Sequence, residues 1–404
     1  MSALISSSAP ITLDELLNKP QGRIVNPQGE LFSPAAARPR KCPGEFIAAT
    51  DPDIMRLVGV GAAVAIGVSG GKDSVVATGV TMEYLDSLGH TGPRVLVHAD
   101  LGMVEWKESV EVCRQLANHY GLELLIVSRK AGGLMERWES RWESSTRRYS
   151  ELSTVTLVLP WSTPAMRFCQ SETKRIPIIS ELRRRFKGQH IINVTGIRRQ
   201  ESASRSKSTI ADLDVKNSRV GSEFWNFRPI VDFSTQEVFQ FIKSRGLPLH
   251  IAYTEFHSSR VSCILCILAK LADLVASTRR PEHRVLYRRM VALEIVSTFA
   301  FQGSRWLGDV APHLLLSDEL DALEGAKDRA KRRQASEAEV PKDLLYTKGW
   351  PNRMVTQGEA ELLASVRNRV ADAVGLQNIG CTDAESVMAR YDELLRLKEL
   401  KLAA

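Results

Sequence analysis

AAVAIGVSGGKDSVVATGVTMEYLDSLG, residues 62–89, decides how the rest of the chain reads. Its first seven residues are an unbroken run of small and branched apolar side chains, the pattern of a strand buried on both faces. Val75 to Gly89 reads as a helix, and Gly89 can take the left-handed conformation that ends one. Between them lies Ser69-Gly70-Gly71-Lys72-Asp73-Ser74, past the carboxyl end of a strand and at the start of a helix, where an open α/β sheet holds its ligands. Gly70 and Gly71 let the backbone approach a phosphate closely. The amides at the helix start and the positive end of its dipole attract the anion, Ser69 and Ser74 add hydroxyls, and Lys72 adds charge.

The unit then repeats. RVLVHA (Arg94 to Ala99) reads as a strand, EWKESVEVCRQLANHY (Glu105 to Tyr120) as a helix and LELLIVS (Leu122 to Ser128) as a strand; a helix near Ile178 to Phe186 precedes strand IINVT (Ile191 to Thr195). Alternating strands and helices imply right-handed crossovers and one α/β, doubly wound parallel sheet of at least four strands, a Rossmann-like fold. The expected boundaries are an extended N-terminal arm over 1–50, interrupted by Pro20, Pro27, Pro34, Pro39 and Pro43, a nucleotide-binding domain over 51–275, and a mostly helical domain over 276–404. Helical periodicity in the last part falls in VLYRRMVALEIVSTFAF, ELLASVRNRVADAVG and MARYDELLRLKEL, with charge-dense KDRAKRRQ between them.

The 404 residues are 44% hydrophobic and 25% charged, a globular balance that argues against wholesale disorder. A net charge of +7 suits an anionic partner, whether nucleotide phosphates or a nucleic-acid backbone. MSALISSSAPITLDELL lacks the basic and apolar stretches of a secretory signal, so a cytoplasmic location is expected. The longest apolar run, Leu57 to Val68, is too short and Gly-rich to span a bilayer, and no membrane segment is expected. Six irregularly spaced cysteines favour metal binding or thiols over a disulfide framework.

Gly67 to Gly71 leaves three intervening residues, and Asp73 rather than Ser or Thr follows Lys72, so the turn is not a Walker A loop and kinase-type γ-phosphate chemistry is disfavoured. SGGKDS instead resembles the PP-loop of ATP pyrophosphatases. Arg167-Phe168-Cys169 with Lys174 and Pro177 resembles the R-x-C-x4-K-x2-P stretch of phosphoadenosine-phosphosulfate (PAPS) reductase-like proteins, and GIRRQESASR (Gly196 to Arg205) resembles their arginine-bearing loop. Arg228 to Tyr253 and SSRVSCILCILAKLADL (Ser258 to Leu274) resemble two further segments of the same family in the expected order. Over roughly residues 60–275 the chain thus resembles the PAPS reductase-like branch of the adenine nucleotide alpha-hydrolases.

The resemblance implies ATP as ligand, with Mg²⁺, on Ser69, Gly70, Gly71, Lys72, Asp73, Ser74 and Gly196. Lys72, Asp73, Arg198 and Arg199 would carry the chemistry; Arg198 or Arg199 would meet the α phosphate, Asp73 is assigned to Mg²⁺ or to bracing the loop, and Arg205 either joins the cluster or is a solvated charge. Asp100, directly after RVLVHA, either lies beside the nucleotide or its Mg²⁺ or caps the next turn. Cys169, Cys263 and Cys266 match cysteines that hold an iron-sulfur cluster in some relatives. Here they read either as ligands of such a cluster or of Zn²⁺, with His257 as a further candidate, or as buried thiols among Ile264, Leu265, Ile267 and Leu268.

Family reductases end in a Glu-Cys-Gly-Leu/Ile-His tail that MARYDELLRLKELKLAA lacks, and Cys381 in NIGCTDAE does not replace it. The leading expectation is AMP-forming ATP cleavage that adenylates a nucleic-acid or protein acceptor, in sulfur transfer or nucleic-acid modification. Sulfonucleotide (PAPS or APS) reduction, and a nucleotide- or nucleic-acid-binding subunit without turnover, are the alternatives.

Overall fold

Residues 46–403 are described by a computed structural model of the chain. The arm expected over 1–50 lies outside them except for its last five residues. By contact the described residues group into two compact units, one of residues 46–101, 105–129 and 170–264, the other of 102–104, 130–169 and 265–403. The second unit therefore takes in residues 130–169, which the sequence reading assigned to the nucleotide-binding domain.

The first described helix, α1 (Pro52–Gly59), starts where Asp51 caps the Asp53 and Ile54 amides and Pro52 fits the first turn. Then come β1 (Ala63–Gly67), α2 (Lys72–Ser87), β2 (Arg94–Asp100), α3 (Lys107–Tyr120) and β3 (Glu123–Ser128). After α4 (Leu134–Ser150), which belongs to the second unit, the first resumes with α5 (Ile176–Arg185), β4 (Ile191–Val194), β5 (Ala211–Leu213), β6 (Phe224–Phe227) and α6 (Thr235–Arg245).

The sheet order is β3-β2-β1-β4-β6-β5. Every pairing is parallel except β5 with β6, which is antiparallel at the edge. The α/β doubly wound expectation holds, and the sheet is larger than the four strands read from sequence. Ala211-Asp-Leu and Phe224-Trp-Asn-Phe are too short and too mixed in polarity to announce themselves as buried strands.

Because β1 is buried on both faces, its side chains feed two cores alternately. Val64 and Ile66 pack with Val75, Val76, Val80, Phe241 and Ile242, whereas Ala63 and Ala65 pack with Leu182, Phe186, Ile191 and Phe224. The chain leaves β1 with β2 on one side and β4 on the other, so strand order reverses there. The loop after β1 occupies the switch point of the sheet.

The second unit contains α4, α7 (Leu271–Thr278), α8 (Arg284–Ser297), α9 (Ser317–Ala338), α10 (Gln357–Val374) and α11 (Ala384–Ala403), in line with the helical C-terminal expectation. KDRAKRRQ, the charge-dense stretch between the periodic segments, lies inside the 22-residue α9; Ala326, Ala330 and Arg333 of that helix are buried. The core of this unit is aromatic: Trp161 meets Trp138 at 5.3 Å and Phe301 at 5.1 Å, both edge to face. No described helix is long and apolar enough to cross a membrane.

Candidate active site

β1 delivers residues 68–74 to the carboxyl edge of the sheet, and the turn is shaped by what it touches. Gly70 sits at φ +72°, and a Cβ there would lie 2.9 Å from the backbone of Ser109, so only glycine fits without displacing α3. The Ser74 hydroxyl is turned inward: it donates to the Gly71 carbonyl at 2.8 Å and accepts from the Ser69 amide at 3.2 Å. Ser74 therefore closes the turn on itself. Gly71, the cap residue of α2, has no side chain to offer the first-turn amides. The amides of Gly70, Gly71 and Asp73 make no hydrogen bond within the described residues. Three unbonded backbone donors thus stand at the amino end of a 16-residue helix, where the helix dipole favours an anion.

Lys72 is buried at 6% exposure with its ammonium 2.9 Å from Asp73 Oδ2 and 5.5 Å from the centre of the Tyr253 ring. The other Asp73 oxygen receives Arg198 Nε at 2.6 Å, across 125 residues of sequence. Burial works against all charge here, yet Lys72 and Arg198 hold the Asp73 carboxyl below its ordinary range. Burial likewise opposes the Lys72 charge, and Tyr253 and Asp73 outweigh it, so the ammonium is held above its ordinary value. Two cations flank one carboxylate, and the cluster keeps one net positive charge beside the unbonded amides. Both Asp73 oxygens are thus engaged by cations.

Arg198 is positioned from three sides: its Nη1 donates to Gln200 Oε1, the Phe233 carbonyl and Thr235 Oγ1 at 3.2–3.3 Å. Its Nη2 makes no hydrogen bond within the described residues. Gly196, two residues earlier, lets the loop after β4 lie against the start of α2; a Cβ there would fall 2.5 Å from the Asp73 carbonyl oxygen. Arg199 is spent elsewhere, on Asp232 and on the Ser208 carbonyl at 2.9 Å, and Arg205 pairs with Glu201. The structure therefore brings Lys72, Asp73, Arg198 and Gly196 together and does not bring Arg199 or Arg205 to them. Asp100 ends β2 opposite Ser128, on the same carboxyl edge.

Tyr253 is the residue the sequence reading passed over. Its buried hydroxyl accepts from the Lys72 amide and the Val261 amide, both at 3.2 Å, tying the turn to the segment after residue 257. Its place at the end of the Arg228–Tyr253 segment was the available signal. The cysteines read as ligands divide differently: Cys263 belongs to the first unit, Cys169 and Cys266 to the second. Among the described residues no group of three or more His, Cys, Asp or Glu side chains is gathered to hold a metal ion. His257 has a left-handed backbone, φ +55°.

A parallel-dominated sheet with a lysine-bearing turn at its switch point defines an α/β, Rossmann-like domain. The chain belongs to the phosphoadenosine phosphosulfate reductase domain family, whose model matches residues 63–269, just over half of its length. Among solved structures it is similar to a PAPS reductase from Candida auris in a phosphate complex, at 12% identity, covering 54% of this chain and 97% of that one with a TM-score of 0.33. It is also similar to a U34-tRNA thiolase from Methanococcus maripaludis with its 4Fe-4S cluster, at 15% identity, 61% and 78% coverage and a TM-score of 0.32. No curated protein matches the chain significantly.

Proposed function

We propose that the chain binds ATP on residues 69–74 and cleaves it between the α and β phosphates, joining AMP to an acceptor and releasing pyrophosphate. The observation that carries this is the set of three unbonded amides, Gly70, Gly71 and Asp73, beside a buried lysine at the switch point of the sheet. Such a cradle matches a compact, multiply charged anion, and the terminal pyrophosphate of ATP is one.

An acceptor oxygen attacks the α phosphorus. The bond from that phosphorus to the bridging oxygen breaks, and pyrophosphate leaves with the electron pair. A sulfur or nitrogen nucleophile then displaces AMP from the acceptor. Lys72 and the three amides stabilise the charge that collects on the leaving pyrophosphate. Arg198, with Nη2 uncommitted, is the guanidinium for the α phosphate; Arg199, engaged by Asp232, is not. Mg²⁺ enters as part of the nucleotide substrate. The net charge of +7 favours a nucleic-acid acceptor.

Incubating the full chain with α-labelled ATP, Mg²⁺ and candidate acceptors tests the reading. Pyrophosphate together with an equal amount of AMP, joined to the acceptor or freed from it when a nucleophile is added, supports it. ADP with phosphate, thioredoxin-dependent sulfite release from a sulfonucleotide, or tight ATP binding with no product would each overturn it.

A further inference from the structure

Behind the phosphate turn, on the neighbouring strand, lies a buried histidine that this reaction does not use. His98 of β2 is 1% exposed. Its Nδ1 lies 3.0 Å from the Val68 carbonyl oxygen and its Nε2 3.3 Å from Glu105 Oε2. A backbone carbonyl and a carboxylate are both acceptors, and a ring facing an acceptor with each nitrogen must donate from both. The titratable groups that face the ring are Glu105 and Cys113, the latter with Sγ 3.6 Å from Nδ1. Glu105 also accepts from the Leu101 amide at 3.2 Å, which holds its carboxylate in place. Burial alone would push His98 down, but Cys113 and Glu105 outweigh it and raise it to about 10.

Val68 is the residue between β1 and the turn, so its carbonyl shares a rigid, trans peptide plane with the Ser69 amide. Fixing the carbonyl toward His98 aims the Ser69 N–H the opposite way, into the turn, where it donates to Ser74 Oγ at 3.2 Å. The Ser74 hydroxyl in turn donates to the Gly71 carbonyl at 2.8 Å. A single series of hydrogen bonds therefore runs from Glu105 through His98, the Val68–Ser69 peptide and Ser74 to Gly71. From the charged ring onward, the bonds through the Val68–Ser69 peptide and Ser74 to Gly71 all donate in the same sense, so each polarises the next and the charged donor at their head strengthens them.

We propose that His98, held as an imidazolium by Glu105, is the positioning residue of the phosphate turn, acting through the Val68–Ser69 peptide to set the turn's shape and to raise its affinity for anions. It touches no ligand itself. The inference rests on the reading of residues 69–74 as a polyphosphate site.

The test uses the full chain, with inorganic pyrophosphate and ATP as probes in titration calorimetry, and nitrogen-15 NMR of the histidine rings. Glu105→Gln keeps an acceptor for Nε2 and removes the charge that holds the ring protonated. His98→Asn keeps an amide donor near the Nδ1 position and removes the ring charge. In the wild type both His98 nitrogens are expected at protonated shifts at pH 8, and in Glu105→Gln one moves to the unprotonated position. Pyrophosphate and ATP binding weaken about tenfold in each variant, the size of one hydrogen bond from a charged donor. The spectroscopic shift separates this role from simple loss of folding, which would abolish the resolved His98 signals altogether. A neutral His98 in the wild type overturns the inference. So does unchanged binding by both variants of a wild-type ligand, in which case the nucleotide reading stands. Wild-type protein that binds neither probe overturns the nucleotide reading, and this inference with it.

Discussion

Asp73, partly buried, and Glu294, fully buried, are carboxylates in different units, and their environments shift them in opposite directions. Asp73 lies between Lys72 and Arg198 and is held low. Glu294 has no cation partner among the described residues: it is fully buried and accepts from the Phe301, Leu307 and Gly308 amides at 2.7–3.1 Å. Burial pushes it up to about 7 against the pull of those amides. The same division runs through the two units. In the first, charge is gathered opposite charge and next to unbonded amides, an arrangement able to receive an anion. In the second, buried charge is spent on the backbone. Arg367, with 0% exposure, donates to the carbonyls of Ser150, Gly380 and Cys381 and lies 4.7 Å over the Tyr149 ring. Arg333 donates to Thr298, pairs with Glu337 and stacks 3.7 Å over Phe299. The first set of charges lies beside unbonded amides, and the second is engaged within the fold.

The strongest challenge to that contrast is Arg367→Met. It removes the donor shared by three carbonyls in a closed aromatic pocket and should lower unfolding free energy by about 3–5 kcal/mol, read by chemical denaturation. A loss below 1 kcal/mol would mean that the buried arginine is not structural. Lys72→Met should leave stability nearly intact and reduce pyrophosphate release by a factor of about 100–1000, as when one preorganised donor is lost from a charged transition state. Equal release rates would place the reacting phosphates elsewhere. Gly196→Ala forces a methyl onto the backbone at Asp73 and should cost about 2 kcal/mol in stability, with weakened ATP binding in calorimetry. Retention of both properties would show that the two loops do not meet.

The smallest effect is in pH. A carboxyl raised above its ordinary value contributes stability below that value, and the contribution is lost as pH rises through the folded one. Glu294 should therefore make thermal stability fall between about pH 5 and 8, and Glu294→Gln should flatten the slope. Asp73 has the opposite sign: lowered in the fold, it stabilises above the ordinary carboxylate range, and that contribution is lost only in acid. Asp73→Asn should therefore leave the slope between about pH 5 and 8 unchanged. A slope that survives Glu294→Gln but disappears in Asp73→Asn would reverse the contrast drawn above.

Much of the first unit is legible in the chain because its signals are local. β1 to β4 are short apolar runs, each helix carries its own period, and the turn is recognisable from six consecutive residues. The second unit is less legible. α9 is charge-dense and shows its buried stripe only once Arg333 is seen to face Thr298 and Phe299. α4 hides Trp138, Trp142 and Tyr149 among arginines and glutamates.

Within the site the line falls between residue type and residue partner. Consecutive amino acids were enough to state that a glycine-rich, lysine-bearing turn follows a buried strand, since backbone geometry and helix polarity act over a few residues. They were not enough to separate Arg198 from Arg199. These neighbours carry the same charge, and one meets Asp73 while the other is held by Asp232. Nor could they place Tyr253 under Lys72, 181 positions away, or His98 behind Val68. Those contacts exist because a parallel sheet brings distant strand ends to one edge, and which side chains meet there depends on strand order and register, which no short window of sequence encodes.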